Sequence, residues 1–555
     1  MKAAAGGGGK ETTATSLLRC VVLLLLPLTV VYIFYAIHVI LSSTPYCPPA
    51  ADPLITVTAA SAVSHLTSGT GNLTLSSPPP PPPPVAPAAT TLQHVVFGIA
   101  ASARLWEKRK KYIKIWWRPG GGMRGFVWLD RPVRGSGAPE GLPPVKVSSD
   151  TSSFPYTHRR GHRSAIRISR IVSETFRLGL PDVRWFVMGD DDTVFLPDNL
   201  VAVLGRLDHR QPYYVGSPSE SHLQNIYFSY GMAFGGGGFA ISRPLAARLE
   251  RMQDACIRRY PWLYGSDDRV QACMAELGVP LTRHPGFHQC DVYGDLLGLL
   301  AAHPVAPLVT LHHLDVVRPL FPDARSRPDA VRRLFEGPVM LDSVGTMQQS
   351  ICYDADRRWT VSVAWGFVVT VARGVVAPRE METPPRTFLN WYRRADYKAH
   401  AFNTRPMARN PCERPVIYYL ASARRAVARG GETTVTTYQR WRRRNEARPS
   451  CRWKIADPDA LLDTVIVVKK PDPSLWDRSP MRNCCRVLSS PKGGDGNKTM
   501  TVDVGVCEEW EFSQVFPPSF VAPISETPEG ETFETECLAN SGSVLVSDEY
   551  MRQRL

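Results

Sequence analysis

Three consecutive carboxylates, Asp190-Asp191-Asp192, follow the apolar run Trp185-Phe186-Val187-Met188 and Gly189. Adjacent acids repel one another unless a cation or solvent compensates them. Hard divalent ions such as Mg²⁺ or Mn²⁺ take oxygen ligands, often one or two carboxylates with substrate phosphates completing the shell. The run therefore reads either as a metal site for a diphosphate-bearing ligand or as a solvated acidic turn. A second acidic pair, Asp267-Asp268, follows Tyr264-Gly265-Ser266 at the start of a helical pattern. Serine and aspartate are expected caps there, while an ionised carboxylate could equally serve as a general base. Val309-Thr310-Leu311 ends in His312-His313. A lone histidine is usually structural, but a pair at a strand end can supply a metal ligand. The four glycines Gly235 to Gly238 permit either a ligand's close approach or a plain turn.

The elements around these residues alternate. Residues 92–320 mix short apolar runs with helical patterns, which predicts an α/β sheet covered by helices. His94 to Ala100 reads as a first buried strand. Ile168, Ile171, Val172, Thr175 and Phe176 recur at helical spacing, and Gly179 with Pro181 stops that helix. Trp185 to Met188 is the next strand, and its carboxyl end is where open α/β folds collect ligands. Ser242 and Pro244 open a helix with Leu245, Leu249 and Met252 on one face. The helix after the acidic pair turns Val270, Cys273, Met274 and Leu277 inward and ends at Gly278. From Trp359 to Val371 large apolar residues alternate with smaller ones, the period of a half-buried strand or hairpin. With further strands at Val416–Leu420 and Thr464–Val468, a β-rich module is expected over 345–545, either to recognise an acceptor glycan or to buttress the core.

Sixty-five basic against 51 acidic residues leave +14 on a chain of 555. At 44% hydrophobic and 21% charged, wholesale disorder and a collagen-like fibre are excluded. Val21 to Leu41 carries no formal charge, and its 21 residues suffice for a hydrocarbon core about 30 Å thick. Lys2, Lys10 and Arg19 precede it and no Lys or Arg follows until Arg104, which predicts a cytosolic tail at 1–20, a transmembrane anchor at 21–41 and a lumenal body. A cleaved signal peptide is the competing reading. Residues 42–91 are rich in Pro, Ser and Thr and include seven consecutive prolines, Pro78 to Pro84, as expected of a stiff stem. Asn72 and Asn497 head glycosylation sequons. Ten of the 12 cysteines lie between Cys256 and Cys537, and in an oxidising compartment they favour disulfides over buried free thiols. The basic run Arg440-Trp441-Arg442-Arg443-Arg444 invites nucleic acid. Lumenal topology argues against that partner and for acidic glycan or a solvated face.

In order along the chain, RWFVMGDDDTVFLPDNL, YYVGSPSES, FGGGGFAISRPLA, YGSDDRVQACMAELGVPL and HPVAPLVTLHHLD resemble the Fringe-like β-1,3-glycosyltransferases. The chain as a whole is similar to plant members of that group, long labelled a domain of unknown function. The resemblance implies a GT-A, Rossmann-like α/β catalytic domain at 92–335 and inverting transfer of a hexose or N-acetylhexosamine from a UDP-sugar to a glycan or glycoprotein, through a β-1,3 linkage. It implies Mn²⁺ or Mg²⁺ at Asp190, Asp191 and Asp192, with Asp192 in direct contact and His313, in preference to His312, completing the site. Asp267, favoured slightly over Asp268, matches the catalytic base, and Arg104, Arg109, Gly189, Gly236, Gly237 and Gly238 are expected at the donor. Gln271 stands where the family commonly has glycine. A Golgi membrane protein of single-pass type II topology follows. The alternative is a catalytically inactive lumenal glycan-binding scaffold of the same fold.

Overall fold

The computed structural model describes residues 89–511 apart from 134–140, 429–430, 443–448, 492–495 and a few single positions, together with Tyr32, Phe34 and Tyr35. Those three are helical. The rest of the 21–41 run, the stem up to residue 88, Asn72 and Asn497 lie outside the described residues, among which no helix is long and apolar enough to cross a membrane.

The body from Ala86 onward is built on a mixed seven-stranded sheet. Its spatial order is Val145–Val147, Arg124–Leu129, Val95–Ala100, Trp185–Asp190, Phe239–Ser242, Tyr214–Gly216, Leu281–Arg283. The first four strands run parallel, and Phe239–Ser242 runs antiparallel to both its neighbours. Both faces are covered, so side-chain alternation sorts apolar residues into two cores. Val95, Phe97, Ile99, Trp185 and Val187 enter one, while Val96, Ala100, Phe186 and Met188 enter the other. The second core is closed by helices Ile171–Phe176, Arg243–Arg259 and Asp267–Glu276, the last two joined by the Cys256–Cys273 disulfide.

Residues 349–505 form an eight-stranded sheet, antiparallel except where Thr464–Lys469 runs parallel to Thr499–Gly505. The alternating stretch expected from Trp359 is a hairpin, Trp359–Ala364 paired with Val368–Arg373, with buried Trp365 and Phe367 in its turn. The strands at the two ends of this sheet, Gln349–Asp354 and Cys484–Ser489, are bridged by Cys352–Cys485, so the sheet curls until its edges meet. Cys412–Cys451 and Cys484–Cys507 are also disulfides, and Cys290 is a buried thiol; Cys537 lies outside the described residues. One apolar core runs without interruption from Val95 to Val504, so this sheet and the α/β sheet share an interior. Arg440 and Arg442 pair with Asp459, and Trp441 packs edge-on against Tyr419. Two arginines of that basic run are therefore neutralised locally.

Candidate active site

The strand Trp185–Asp190 delivers Asp190 at its carboxyl end, and a tight turn through Asp191 and Asp192 leads into Val194–Phe195. That short strand pairs antiparallel with Thr310–Leu311, with Thr310 opposite Phe195 and Leu311 opposite Val194. The pairing carries the next residue, His312, to the aspartates. Its Nε2 lies 3.2 Å from Asp192 Oδ1 and 3.9 Å from Asp190 Oδ2. One ligand atom from each of Asp190, Asp192 and His312 falls within 4.8 Å of the others. Thr193 braces the turn: its Oγ1 accepts from the Asp190 amide at 2.8 Å and donates to the Gly236 carbonyl at 2.7 Å.

The glycine run explains why these groups can converge. A Cβ on Gly236 would lie 2.1 Å from His312 Cε1, and one on Gly235 would lie 2.6 Å from Asp267 Oδ1. Gly237 is fixed by Gln289 Oε1 on its amide and Thr310 Oγ1 on its carbonyl. Gly236, Gly237 and Gly238, expected at a donor, are buried and pack against His312, Gln289 and Phe195. Gly189 likewise lies against Phe195 and Thr193.

Helix Trp106–Trp116 supplies the cation. Arg109 Nη1 lies 3.1 Å from Asp191 Oδ1 and 2.8 Å from Asp192 Oδ1. Burial works against the guanidinium's charge, but Asp192 and Asp191 together hold its pKa above the ordinary arginine range. Asp191 is buried, and burial, reinforced by the Asp192 charge, pushes its carboxyl up to about 7. Tyr112 Oη donates to Asp315 at 2.7 Å and Lys108 pairs with the same carboxylate, which anchors this helix beside the histidines. Arg104 is exposed in the turn after Val95–Ala100.

The acidic pair divides its work. Asp268 accepts from the Tyr264 and Gly265 amides at 2.8 and 3.0 Å and so closes the turn before its helix. Asp267 instead meets Gly235, whose amide donates to it, and Ser266 Oγ at 2.9 Å. Burial first, then the Asp190 charge, pushes the Asp267 carboxyl up to about 6. His313 was the histidine expected at the aspartates, and here the geometry differs. With φ of 53° His313 places Nδ1 3.0 Å from Asp291 Oδ1 and its ring parallel to Trp391 at 4.7 Å, while the ring stays packed against that of His312 at 3.9 Å. His313 is thus engaged by Asp291, and the imidazole whose nitrogen reaches Asp190 and Asp192 is that of His312. Trp391, stacked in turn on Tyr293 at 4.9 Å, carries no signal in the sequence because its partners Tyr293 and His313 lie 98 and 78 residues before it.

Residues 145–298 match the family described as Fringe-like, and residues 224–485 match a protein family of unknown function, DUF604. Over 140 residues the chain is 34% identical to the β-1,3-glucosyltransferase of Mus musculus, covering 24% of this chain and 27% of that protein. Over 133 residues it is 31% identical to the β-1,3-N-acetylglucosaminyltransferase lunatic fringe of Xenopus laevis, covering 19% and 32% respectively. The chain thus spans about a third or less of the length of these curated relatives. The galactosyltransferase LgtC, solved with donor and acceptor sugar analogues, aligns over 37% of this chain and 77% of its own at 14% identity. Its TM-score of 0.24 is too slight a likeness to bear on function. The sequence matches support a Fringe-like, GT31-like reading of the α/β core.

Proposed function

We infer that the chain is an inverting, metal-dependent glycosyltransferase that moves a hexose or N-acetylhexosamine from a UDP-sugar to a glycan or glycoprotein hydroxyl, forming a β-1,3 linkage. The observation that carries this reading is the convergence of Asp190, Asp192 and His312 beside a carboxyl, Asp267, poised near neutrality. Two carboxylates suit Mn²⁺ or Mg²⁺, and the imidazole beside them favours Mn²⁺ of the two. Such an ion would be held by Asp190, Asp192 and His312 and would offset negative charge on a departing diphosphate.

The chain's own groups supply the remainder. Asp267 accepts the proton of the attacking hydroxyl as the acceptor oxygen bonds to the anomeric carbon. The bond from that carbon to the UDP oxygen breaks, and its electron pair leaves with UDP. Arg109 adds fixed positive charge beside the diphosphate and keeps Asp191 compensated. Anchoring in the Golgi membrane with a lumenal body belongs to the same proposal; what supports it is the 21–41 apolar run with its flanking charges and the three intramolecular disulfides in residues 349–511.

Purified full-length chain should release UDP from at least one UDP-sugar only when Mn²⁺ or Mg²⁺ is present. Asp192→Ala should lower that release about 100-fold or more, the scale of removing one transition-state charge stabiliser. Equal release in EDTA, or by the variant, overturns the assignment.

A further inference from the structure

The base in the reading above needs an acceptor beside it, and the structure offers a wall on that side. Asp267 sits between two aromatic anchors: Phe234 immediately precedes Gly235, whose amide it accepts, and Tyr264 lies three residues before it. Phe228 bridges the two, 6.1 Å from the Phe234 ring and 5.8 Å from the Tyr264 ring, and Tyr227 packs on Phe228 at 4.8 Å. Phe234 is buried, but Phe228 and Tyr264 are half-buried and Tyr227 is 58% exposed. Large apolar groups left open beside a reactive carboxyl mark a binding surface more often than chance exposure.

The fourth member comes from the other half of the chain. Phe388–Asn390 pairs antiparallel with Val292–Gly294. The segment then returns to the start of helix His222–Tyr227, where the Ala399 carbonyl accepts from the His222 amide at 3.1 Å and the Ala401 amide donates to Glu220 at 2.9 Å. Ser221 and His400 form a bridge between the same two segments. This strap carries half-buried Tyr392, whose amide donates to Asn390 Oδ1 at 2.9 Å, directly after Trp391, which stacks on Tyr293 and His313. The strap lies beyond residues 145–298, the Fringe-like match, and inside residues 224–485.

We propose that Tyr227, Phe228, Tyr264 and Tyr392 form an acceptor subsite that takes a neutral pyranose ring on its apolar face and turns one of its hydroxyls to Asp267. Aromatic faces bury the C–H face of a sugar while leaving its hydroxyl rim in water, which is the property this surface needs. The Asp267 carboxylate that the hydroxyl must face disfavours a carboxylated sugar here. The subsite rests on the transferase reading for its purpose but not for its existence.

The test is saturation-transfer NMR on full-length chain with methyl β-galactoside, methyl β-glucoside and methyl β-N-acetylglucosaminide as probes. At least one probe should bind, with saturation strongest on one ring face. Tyr227→Ala/Tyr392→Ala should weaken that probe about tenfold, the effect of losing one or two aromatic contacts. The single variant Tyr392→Phe should bind as the wild type does, since the ring face and not the hydroxyl makes the contact. Thermal midpoint and Mn²⁺ uptake report whether the variants fold. Equal binding by the double variant, weakened binding by Tyr392→Phe alone, or no binding of any probe to the wild type overturns the subsite. Probe binding without UDP release from any UDP-sugar leaves the subsite standing and overturns the transferase reading instead.

Discussion

At Gly236 the absence of a side chain is a structural requirement, because any Cβ there would overlap the His312 ring. Gly236→Ala should push the imidazole off the aspartates without touching either carboxylate. Displacing a ligand through its support typically costs 10–100-fold in metal affinity, so Mn²⁺ titration should weaken by about that factor. Asp267 carries the corresponding pH prediction. The groups facing it are Asp190, Asp268, Ser266 Oγ and the Gly235 amide. A base works only when ionised, so the rate should fall in acid; burial alone raises this carboxyl once an ion on Asp190 offsets that charge, which places the limb below about 6. Asp267→Asn should remove both the activity and its acid limb. An Asp268→Asn variant should instead lose stability, since its carboxylate closes the turn at Tyr264 and Gly265. What the sequence showed at this scale was the acidic residues and their order. Which histidine faces them was not legible, because His312 and His313 are equivalent as types and only backbone φ and strand pairing separate them.

Elements with strong periodicity were readable before any coordinates. Trp185–Asp190, Arg243–Arg259 and the hairpin starting at Trp359 lie where apolar spacing puts them, since each buries a regular face. The short strands Val194–Phe195, Phe287–His288 and Thr310–Leu311 were not resolved as one sheet. Two or three residues carry too little pattern, and their pairing is set by long-range contacts. Disulfide connectivity was equally hidden, although the even number of cysteines in the globular part pointed to bridges. Cys352–Cys485 closes a loop with a sequence separation of 133 residues, and removing it by Cys352→Ser/Cys485→Ser should cost about 2–5 kcal/mol by denaturant titration. Cys256–Cys273 spans 17 residues, and loop-closure entropy predicts a smaller loss there.

Across the whole molecule, two withdrawn histidines, His284 and His303, contribute to the response to acid. Burial lowers the His303 pKa to about 3 and that of His284 to about 4, and His288 adds to both effects. In the unfolded chain both would titrate near 6.5. Below that pH the unfolded state gains protons at these two sites that the folded state refuses, so their contribution to stability falls progressively from about pH 6.5 towards pH 4. The raised carboxyls of Asp191 and Asp267 act in the opposite sense over the same range, because the folded state protonates them first. The histidine share is therefore read as a difference: between pH 7.5 and 5 the melting temperature of His303→Asn should change more favourably than that of the wild type, and equal changes overturn the assignment. The bridge between Cys352 and Cys485 also bears on how the protein is made. Until it forms, the eight-stranded sheet has two open edges whose free amides and carbonyls can recruit strands from neighbouring chains. Oxidation turns an aggregation template into a closed surface, so a copy stranded in a reducing compartment would be lost to self-association before its active centre mattered.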